Sequence, residues 1–392
     1  MPWKKNSEEE QRYSFLQQLR RAPRGGFAGL CRVYQISRKT GYKWLQRSIL
    51  GESLCNRVCR PQRLARSYND EWRMATFEAR ARFPTWGASK LRWFLRHNYK
   101  YRKVPSVRTL HRWLKGAQLV VARPWCAPSG PAQIQANWIY PHRANDVWSI
   151  DFKGWFRTGD GTRVYALTVC DMASHFILAI VVVEKMDFPC VQRALTQVFK
   201  KYGLPRAIRA DQGAPWFGTG PRHWTKLSVW WVRQQIQVQY TRRAKPQDNA
   251  AHEQMHKILK AETAQPPAPT LTAQKARLTK WKNHYNYDRP HASHQENPPA
   301  TKYRFSARPF LATLPILQYP ISWDKTTVYR SGYMSWRDSK RIIGKAFYQQ
   351  SLGLRKINPT LVAVYLGPHL LGTLSQSEPG LRPVSIRLKG GC

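Results

Sequence analysis

The alternation of apolar and polar positions changes character twice along the chain. Up to about residue 120 the apolar residues recur at helical spacing. Gly29–Tyr34 reads as a short helix with Leu30 and Val33 on one face. Gln35-Ile36-Ser37 reads as a tight break in which Ser37 is a good N-cap, and Arg38–Arg47 as a second helix, polar and basic. The two together make a helix-turn-helix pattern. A similar unit recurs near residues 80–116. There Trp86–Arg92 begins one helix, and Pro105 and Ser106 precede another with Val107, Leu110 and Leu114 at i, i+3 and i+7. Pro124, Pro128, Pro131 and Pro141 mark residues 121–142 as a linker.

From about residue 145 strand-like runs appear. Val147–Phe152, Val164–Cys170 and Phe176–Val183 read as three strands, Met186–Tyr202 as an amphipathic helix ended by Gly203-Leu204-Pro205, and Ala207–Ala210 as a fourth strand. Trp224–Val232 reads as helix, Gln237–Tyr240 as a short fifth strand, and Asp248 as the cap of a helix running through Glu253 to about Glu262. A further helix covers Thr272 to about Tyr285. Strands followed by alternating helices and strands predict an α/β domain. From about Ile321 the pattern is of short strands: Thr327–Arg330, Met334–Trp336, Arg341–Ile343, Leu361–Leu366 and, after a Gly367-Pro368 turn, Leu370–Leu374. These predict a small β-barrel-like domain. The expected organisation is multidomain: a helix-turn-helix domain over 1–60, a second such module over 70–120, the linker, an α/β core over 143–305 and a β domain over 319–392.

Charge gives this architecture a partner. The chain has 65 Lys and Arg against 22 Asp and Glu, a formal net charge of +43. Self-repulsion on that scale costs stability unless a polyanion neutralises it, which predicts double-stranded DNA as the ligand. Arg38, Lys39, Lys43 and Arg47 on the first recognition-type helix, Arg108 and Arg112 on the second, and Lys257 and Lys260 on the Glu253 helix are the candidate DNA contacts. His111 has no partner at ligand spacing and reads as a surface or phosphate-contacting residue. The cysteines are scattered and odd in number, 7 in all, with no signal peptide evident, so ordinary thiols in a reducing cytoplasm are expected. Cys55 and Cys59 lie close together, but no second Cys or His pair answers them at zinc spacing. The longest apolar run, Phe176–Val183, suits a buried strand and is too short to span a membrane.

In so basic a chain an acid at the end of an apolar strand needs a reason. Asp151 lies within the first core strand, Asp211 just after the fourth, and Glu253 one to two turns into the following helix. If the first and fourth strands are neighbours, the two aspartates meet at one edge and the helix brings in the glutamate. Phosphoryl transfer with two Mg2+ ions needs hard carboxylate ligands gathered in this way. Asp146 reads as a turn residue, Asp171 as a partner for local amides, and Asp187 as the acid at a helix start. Spacing alone leaves Asp248 and Glu262 as rivals of Glu253 for the third position.

These residues resemble a known family. Trp148-Ser149-Ile150-Asp151, Asp211-Gln212-Gly213, and Pro246-Gln247-Asp248-Asn249 followed by His252-Glu253 look like the bacterial insertion-sequence DDE transposases with a retroviral-integrase-like core. So do Tyr285-Asn286-Tyr287-Asp288-Arg289-Pro290-His291, Pro298-Pro299-Ala300 with Tyr303, the opening Met1-Pro2-Trp3-Lys4, Ile36–Trp44 and the tail around Tyr365–Pro368. The likeness spans nearly the whole chain, and the ordered set is more specific than any one motif. It implies a ribonuclease-H-like core with Asp151, Asp211 and Glu253 as catalytic metal ligands. It also implies Mg2+ as cofactor (Mn2+ as substitute), end cleavage followed by strand transfer into target DNA, a homo-oligomer pairing two ends, and a cytoplasmic, nucleoid-associated protein. The Asp211 to Glu253 interval, 253 − 211 = 42 positions, is somewhat longer than the shortest members use, with the extra residues expected around Thr219–Trp231. Ala210 and Gln212 flank the second acid where Ser and Asn are usual, Ala250 stands for Gly, His175 for Arg in a Ser-Arg pair, and Gln254 for Arg. No carboxylate is lost, but these departures leave room for a catalytically inactive or domesticated DNA-binding repressor, and the core itself for a nuclease that does not join ends.

Overall fold

The computed structural model describes residues 8–56, 68, 70–99, 103–120, 138–243 and 245–384. Expectations on Met1–Lys4, Cys59, Cys126, Cys392 and most of the 121–142 stretch fall outside them. The chain divides into two compact units, Met1–Tyr68 and Asn69–Cys392.

The first unit holds helices α1 (Glu8–Arg21), α2 (Phe27–Val33) and α3 (Arg38–Ile49). Gln35 takes a positive φ of 53° between α2 and α3, and the Ser37 hydroxyl accepts a bond from the Thr40 amide at 3.1 Å, so the break and cap lie where the pattern predicts them. Helix α1 has no clear periodic signature because it buries little beyond Phe15 and Leu16. Close packing depends on Gly41: a Cβ there would stand 2.8 Å from the Cys31 sulfur and 3.0 Å from the Phe27 ring. Phe15, Leu16, Cys31, Trp44 and Leu54 form the small core, with the Arg12 guanidinium 3.9 Å over Trp44.

The second unit opens with α4 (Asp70–Arg82), α5 (Ala88–Asn98) and α6 (Val107–Gly116), packed around Trp86, Leu91, Leu95, Leu110 and Leu114. Ser106 caps α6. Val107, expected on the buried stripe, is 40 % exposed; it is the first residue of α6, and the stripe begins one turn later at Leu110. Hydroxyls of Thr85 and Ser89 bond Glu262 and Glu296, and Phe83 and Trp86 stack on His284, which fastens this helical module to the rest of the unit.

The core sheet contains β1 (Val147–Arg157), β2 (Arg163–Asp171), β3 (Ile177–Val183), β4 (Ala207–Ala210) and β5 (Gln237–Tyr240), ordered β3-β2-β1-β4-β5. The first three strands pair antiparallel, whereas β4 joins β1, and β5 joins β4, in parallel. The first and fourth strands are therefore neighbours. Strand periodicity then decides which side chains face which layer. Trp148 and Ile150 of β1 and Leu167 and Val169 of β2 pack with α7 (Phe188–Tyr202) and α8 (Lys226–Arg233). The alternate residues of β1 and β2, Ser149, Asp151, Thr168 and Cys170, face the other layer. There Met255 and Leu259 of α9 (Ala250–Leu259) and Leu278, Trp281 and Tyr285 of α10 (Leu271–Tyr287) pack on Cys170 and Ile177.

After α10 come β6 (Asp324–Thr327), β7 (Tyr333–Trp336), β8 (Ser339–Ile342), β9 (Ser351–Asn358), β10 (Leu361–Leu366), β11 (His369–Ser375) and β12 (Arg382–Pro383). Five of them form a sheet ordered β12-β11-β10-β9-β6, and β7 and β8 form a separate two-stranded ribbon. The sheet is open where a barrel was expected. Its apolar residues Leu352, Leu354, Val362, Val364, Leu371 and Leu374 are covered by Trp224, Val229 and Tyr240 of the core and by Trp336 and Phe347, so closure on itself is not needed to bury them. The stretch expected to lengthen the Asp211–Glu253 interval thus supplies part of this shared core.

The Tyr285–His291 motif has a structural reading. The Asn286 side chain is 1 % exposed; its Nδ2 donates to the Ile177 carbonyl and its Oδ1 accepts from the Ile177 amide, both at 2.8 Å. These are outward-facing backbone groups of edge strand β3, which would otherwise be buried without partners. Replacement of Asn286 by Ala should cost about 2–6 kcal/mol of unfolding free energy, since each of the two unsatisfied buried groups costs roughly 1–3 kcal/mol. Urea denaturation checks this; a loss under about 1 kcal/mol would mean water reaches the strand edge.

Candidate active site

Two aspartates arrive from neighbouring parallel strands. The β1–β4 register pairs Ser149 with Arg209, and each aspartate lies two residues further along its own chain, so both stand at one edge of the sheet. Asp151 is followed by an irregularity: the β1–β2 register shifts between Phe152 and Trp155, and Gly154 takes a φ of 79°. A bulge of this kind interrupts regular pairing and re-aims the strand beside a site. The Asp151 Oδ1 accepts from the Phe152 amide at 2.7 Å, and the side chain is 27 % exposed. Asp211 is exposed, and its Oδ1 accepts from the Gly213 amide at 3.0 Å. A Cβ on Gly213 would sit 3.1–3.2 Å from both carboxylate oxygens, which explains glycine at that position. The Gln212 amide ties the same turn to the Thr241 carbonyl at 2.8 Å.

Glu253, half-buried, lies in the first turn of α9, where the helix dipole favours an acid. The three carboxylates feel one another. Burial first, then Asp211 and more weakly Glu253, push the Asp151 carboxyl up to about 7, against the opposing pull of the Phe152 amide and Lys153. Mutual repulsion of three hard oxygen donors is what a divalent cation relieves, so the donor set fits Mg2+ or Mn2+.

The rival acids are occupied. Asp248 is not the cap of α9. It precedes that helix in a 3-10 turn, accepts from the Arg242 amide at 2.9 Å, and forms a fork with the Arg242 guanidinium at 2.7 and 3.0 Å. Glu262 accepts from the Trp281 indole and from Arg289 at 3.1 Å. Asp171 accepts from the Asn145 and Ser174 amides at 2.7 and 2.8 Å, and Asp146 from the Arg143 amide at 2.8 Å.

The basic candidates divide. Arg38, Lys39 and Lys43 are exposed on α3, Arg108 and Arg112 on α6, and Lys257 and Lys260 near the Glu253 helix. Arg47 turns inward instead. It is 9 % exposed, 3.7 Å from Glu52, and lies over Trp44, so it holds the helical unit together and has no free face for DNA. Lys153, which the sequence pattern does not single out, is held below its ordinary range by burial and by Lys260, against the pull of Asp151.

The structure also holds a buried polar network that the sequence pattern does not announce. His252 and His256, one helical turn apart on α9, reach across to the strand face that carries Asp151. The His252 Nδ1 is 2.6 Å from the Ser149 hydroxyl; its Nε2, and that of His256, are each 2.7 Å from the Thr168 hydroxyl. The His256 Nδ1 is 3.7 Å from the Asp151 Oδ2. Burial drives both imidazoles to the neutral form, His256 down to about 3. The ligand atoms of Asp151, His252 and His256 lie within 4.8 Å of one another, a tighter group than the three carboxylates make. The signal available in the sequence was the i, i+4 pair of histidines flanking Glu253.

Models of the integrase core domain match residues 141–246 and 234–299. Residues 141–299 together are thus similar to the integrase core domain. The chain is also similar to insertion-element proteins. One is the IS407 uncharacterized 31.7 kDa protein of Burkholderia multivorans, 30 % identical over 154 residues, 39 % of this chain and 53 % of that one. Another is the IS476 uncharacterized 39.2 kDa protein of Xanthomonas euvesicatoria, 31 % identical over 159 residues, 40 % of this chain and 43 % of that one. The chain thus spans about half the length of the curated relatives it matches. Among solved structures it is similar to the HTLV-2 integrase catalytic core in complex with magnesium, 12 % identical with a TM-score of 0.33 over 41 % of this chain and 98 % of that one. It is similar also to the BIV integrase catalytic core, 16 % identical with a TM-score of 0.32 over 41 % and 93 %. No helix among the described residues is long and apolar enough to cross a membrane.

The burial of Asp151 beside other acids has a pH signature. Asp151 is raised from its ordinary 3.8 to about 7, so the metal-free folded chain holds a proton that the unfolded chain releases. The stability contributed by that proton is full below about pH 4 and is lost as pH rises through about 7. Asp151→Asn should therefore match wild type near pH 4.5 and melt higher than it at pH 8 in EDTA. Thermal scans across that range check this; a constant difference between the two proteins would mean that neither burial nor the neighbouring acids raise Asp151.

Proposed function

We propose that the chain is the DNA transposase of an insertion sequence. It binds the element's ends as double-stranded DNA and carries out Mg2+-dependent 3′-end cleavage and strand transfer into target DNA. Asp151, Asp211 and Glu253 are the catalytic carboxylates that would hold the metal. The observation that carries the reading is the arrival of Asp151 and Asp211 at one edge of adjacent parallel strands, with Glu253 close enough to bear on the Asp151 charge. A bound cation pair supplies charge relief on the phosphate and an activated attacking oxygen. The protein's own part is positional. The bulge after Asp151 and the Gly213 amide on Asp211 hold the carboxylates, while Lys153 sets positive charge beside Asp151 for the DNA backbone.

The exposed basic residues of α3 and α6, with Lys257 and Lys260, make the DNA contacts in this reading, and a homo-oligomer pairs two ends. Arg47 is withdrawn from that set. The domain scheme is two helical DNA-binding modules before the core and a β domain after it. The residue types around the second acid, Ala210 and Gln212, keep a second reading in play: a DNA-binding repressor without catalysis.

Asp151→Asn, Asp211→Asn and Glu253→Gln should each lower end cleavage and joining by at least 10³-fold in Mg2+, as removal of a charge-stabilising group does, with DNA affinity largely retained. Assays with purified protein and linear end fragments decide between the readings. Strand-transfer products exclude the repressor, whereas full activity of any one variant removes that residue from the site. DNA affinity should also fall by 10³-fold or more, roughly, between 50 and 200 mM salt if six or more phosphates are contacted. A flat salt response would contradict the polyanion reading.

A further inference from the structure

The hydrogen-bond pattern of the buried network assigns the imidazole tautomers. Thr168 has one hydroxyl proton, and it goes to the Asp151 main-chain carbonyl at 2.9 Å, an atom that can only accept. The Thr168 oxygen must then accept from both imidazoles, so His252 and His256 each carry their proton on Nε2. The His252 Nδ1, left without a proton, accepts from the Ser149 hydroxyl at 2.6 Å in preference to the Cys170 carbonyl 3.4 Å from that hydroxyl, so this ring has both nitrogens engaged. His256 differs. Its Nδ1 has no proton, and it looks at a carboxylate oxygen of Asp151 3.7 Å away, from a residue that is 8 % exposed. An unprotonated imidazole nitrogen facing a carboxylate oxygen across 3.7 Å leaves a place for a positive centre, which a bound cation fills once Asp151 gives up its proton.

We propose that His256 is a nitrogen ligand to the cation held by Asp151, and that it tilts this site from Mg2+ toward Mn2+ and the later first-row divalent metals. The inference rests on the proposed active site and adds to it a donor that the carboxylate reading lacks. Metal–oxygen and metal–nitrogen distances of about 2.1 Å let two ligand atoms stand between about 3.0 Å apart at a right angle and about 4.2 Å apart in line, so the 3.7 Å gap accepts an ion with little movement. Mg2+ prefers oxygen and water, whereas affinity for a site with a nitrogen donor rises from Mn2+ through the later first-row divalent metals. Of the three grouped side chains, His252 is the positioning residue. Together with Thr168 it fixes the His256 ring, as a hydrogen-bonded outer shell fixes a ligating histidine in metal sites generally. Lys153 is the cation that opposes metal entry here, and Asp211 and Glu253 are the anions that favour it.

The test is pulsed electron paramagnetic resonance on the full chain with Mn2+ alone, together with titration of Mn2+ and of Mg2+ into wild type, Asp151→Asn and His256→Gln. The wild-type Mn2+ spectrum should show modulation from a directly bound nitrogen. In His256→Gln that modulation should vanish, and the Mn2+ dissociation constant should rise about tenfold while that for Mg2+ changes much less. Circular dichroism of His256→Gln shows whether the variant folds, and if it does not, the wild-type spectrum by itself still tests for a bound nitrogen. If Mn2+ binding depends on Asp151 but shows no nitrogen modulation, His256 is not a ligand and the carboxylate site stands without it. Modulation that persists in folded His256→Gln overturns the assignment equally. Mn2+ binding indifferent to Asp151→Asn would sink the proposed active site and this inference together.

Discussion

The parallel pairing of β1 with β4 is the constraint on which the rest of the site depends. An antiparallel neighbour would send the chain after β4 to the opposite edge of the sheet and carry Asp211 away from Asp151. In parallel, both strands end their regular pairing at the same edge, and each delivers an aspartate there. The pairing is held on one face by Trp148, Ile150 and Ile208 in the main core. On the other face Arg209 bonds the Gln239 side chain at 3.1 Å and the Asp248 carbonyl at 3.3 Å, so the base of β4 is clamped to β5 and to the approach of α9. The clamp that sets the strand also sets where the glutamate helix begins.

Acids are few in a chain this basic, and several have a structural task. Asp146, Asp171, Asp248 and Glu262 are tied into amide, indole and guanidinium bonds that close turns and fasten layers. Among the described residues, Asp211 and Glu253 form no ion pair, and Asp151 has only a neutral imidazole opposite it. That asymmetry is energetic as well as topological. A carboxylate paired with Arg242 is held below its ordinary range, by bonds that outweigh burial, whereas Asp151 is driven above its own by burial and its fellow acids. The first arrangement stabilises a turn; the second stores repulsion that a cation can release.

Much of the core can be read from the chain because its strands are short apolar runs bounded by turns, and because strand periodicity is unambiguous once one face is buried. Ala207–Ala210, Gln237–Tyr240 and Leu361–Leu366 lie where the pattern puts them. Helices α1 and α4 are not legible, since they bury few apolar side chains and their remaining surface is charged. Strand β9 is hidden too: after Leu354 its residues are exposed, and all but Ile357 are polar. The open C-terminal sheet looks like a barrel in sequence because a strand pattern does not say which partner covers it, and here that partner is Trp224 and Val229 from the core. Asp248 carries every local mark of an N-cap, yet Arg242 six residues earlier outcompetes the helix for it, because a fork of charged bonds outweighs a cap.

The candidate site divides in the same way. Acids in strand and turn contexts stand out against a background of +43, so Asp151 and Asp211 are conspicuous. Glu253 stands out less, because helix spacing does not separate it from Asp248 and Glu262; their partners in space do. The histidines are invisible for a different reason. A lone buried His on an apolar helix face is usually a core residue, and nothing local says that Ser149 and Thr168, distant in the chain, will meet it. Their meeting follows from the period of two in β1 and β2, which puts Ser149, Asp151 and Thr168 on one side of the sheet. The same alternation that exposes Asp151 to α9 surrounds it with hydroxyls that have to find partners. Once those hydroxyls are satisfied by His252 and His256, the remaining lone pair has one direction to face, toward the carboxylate.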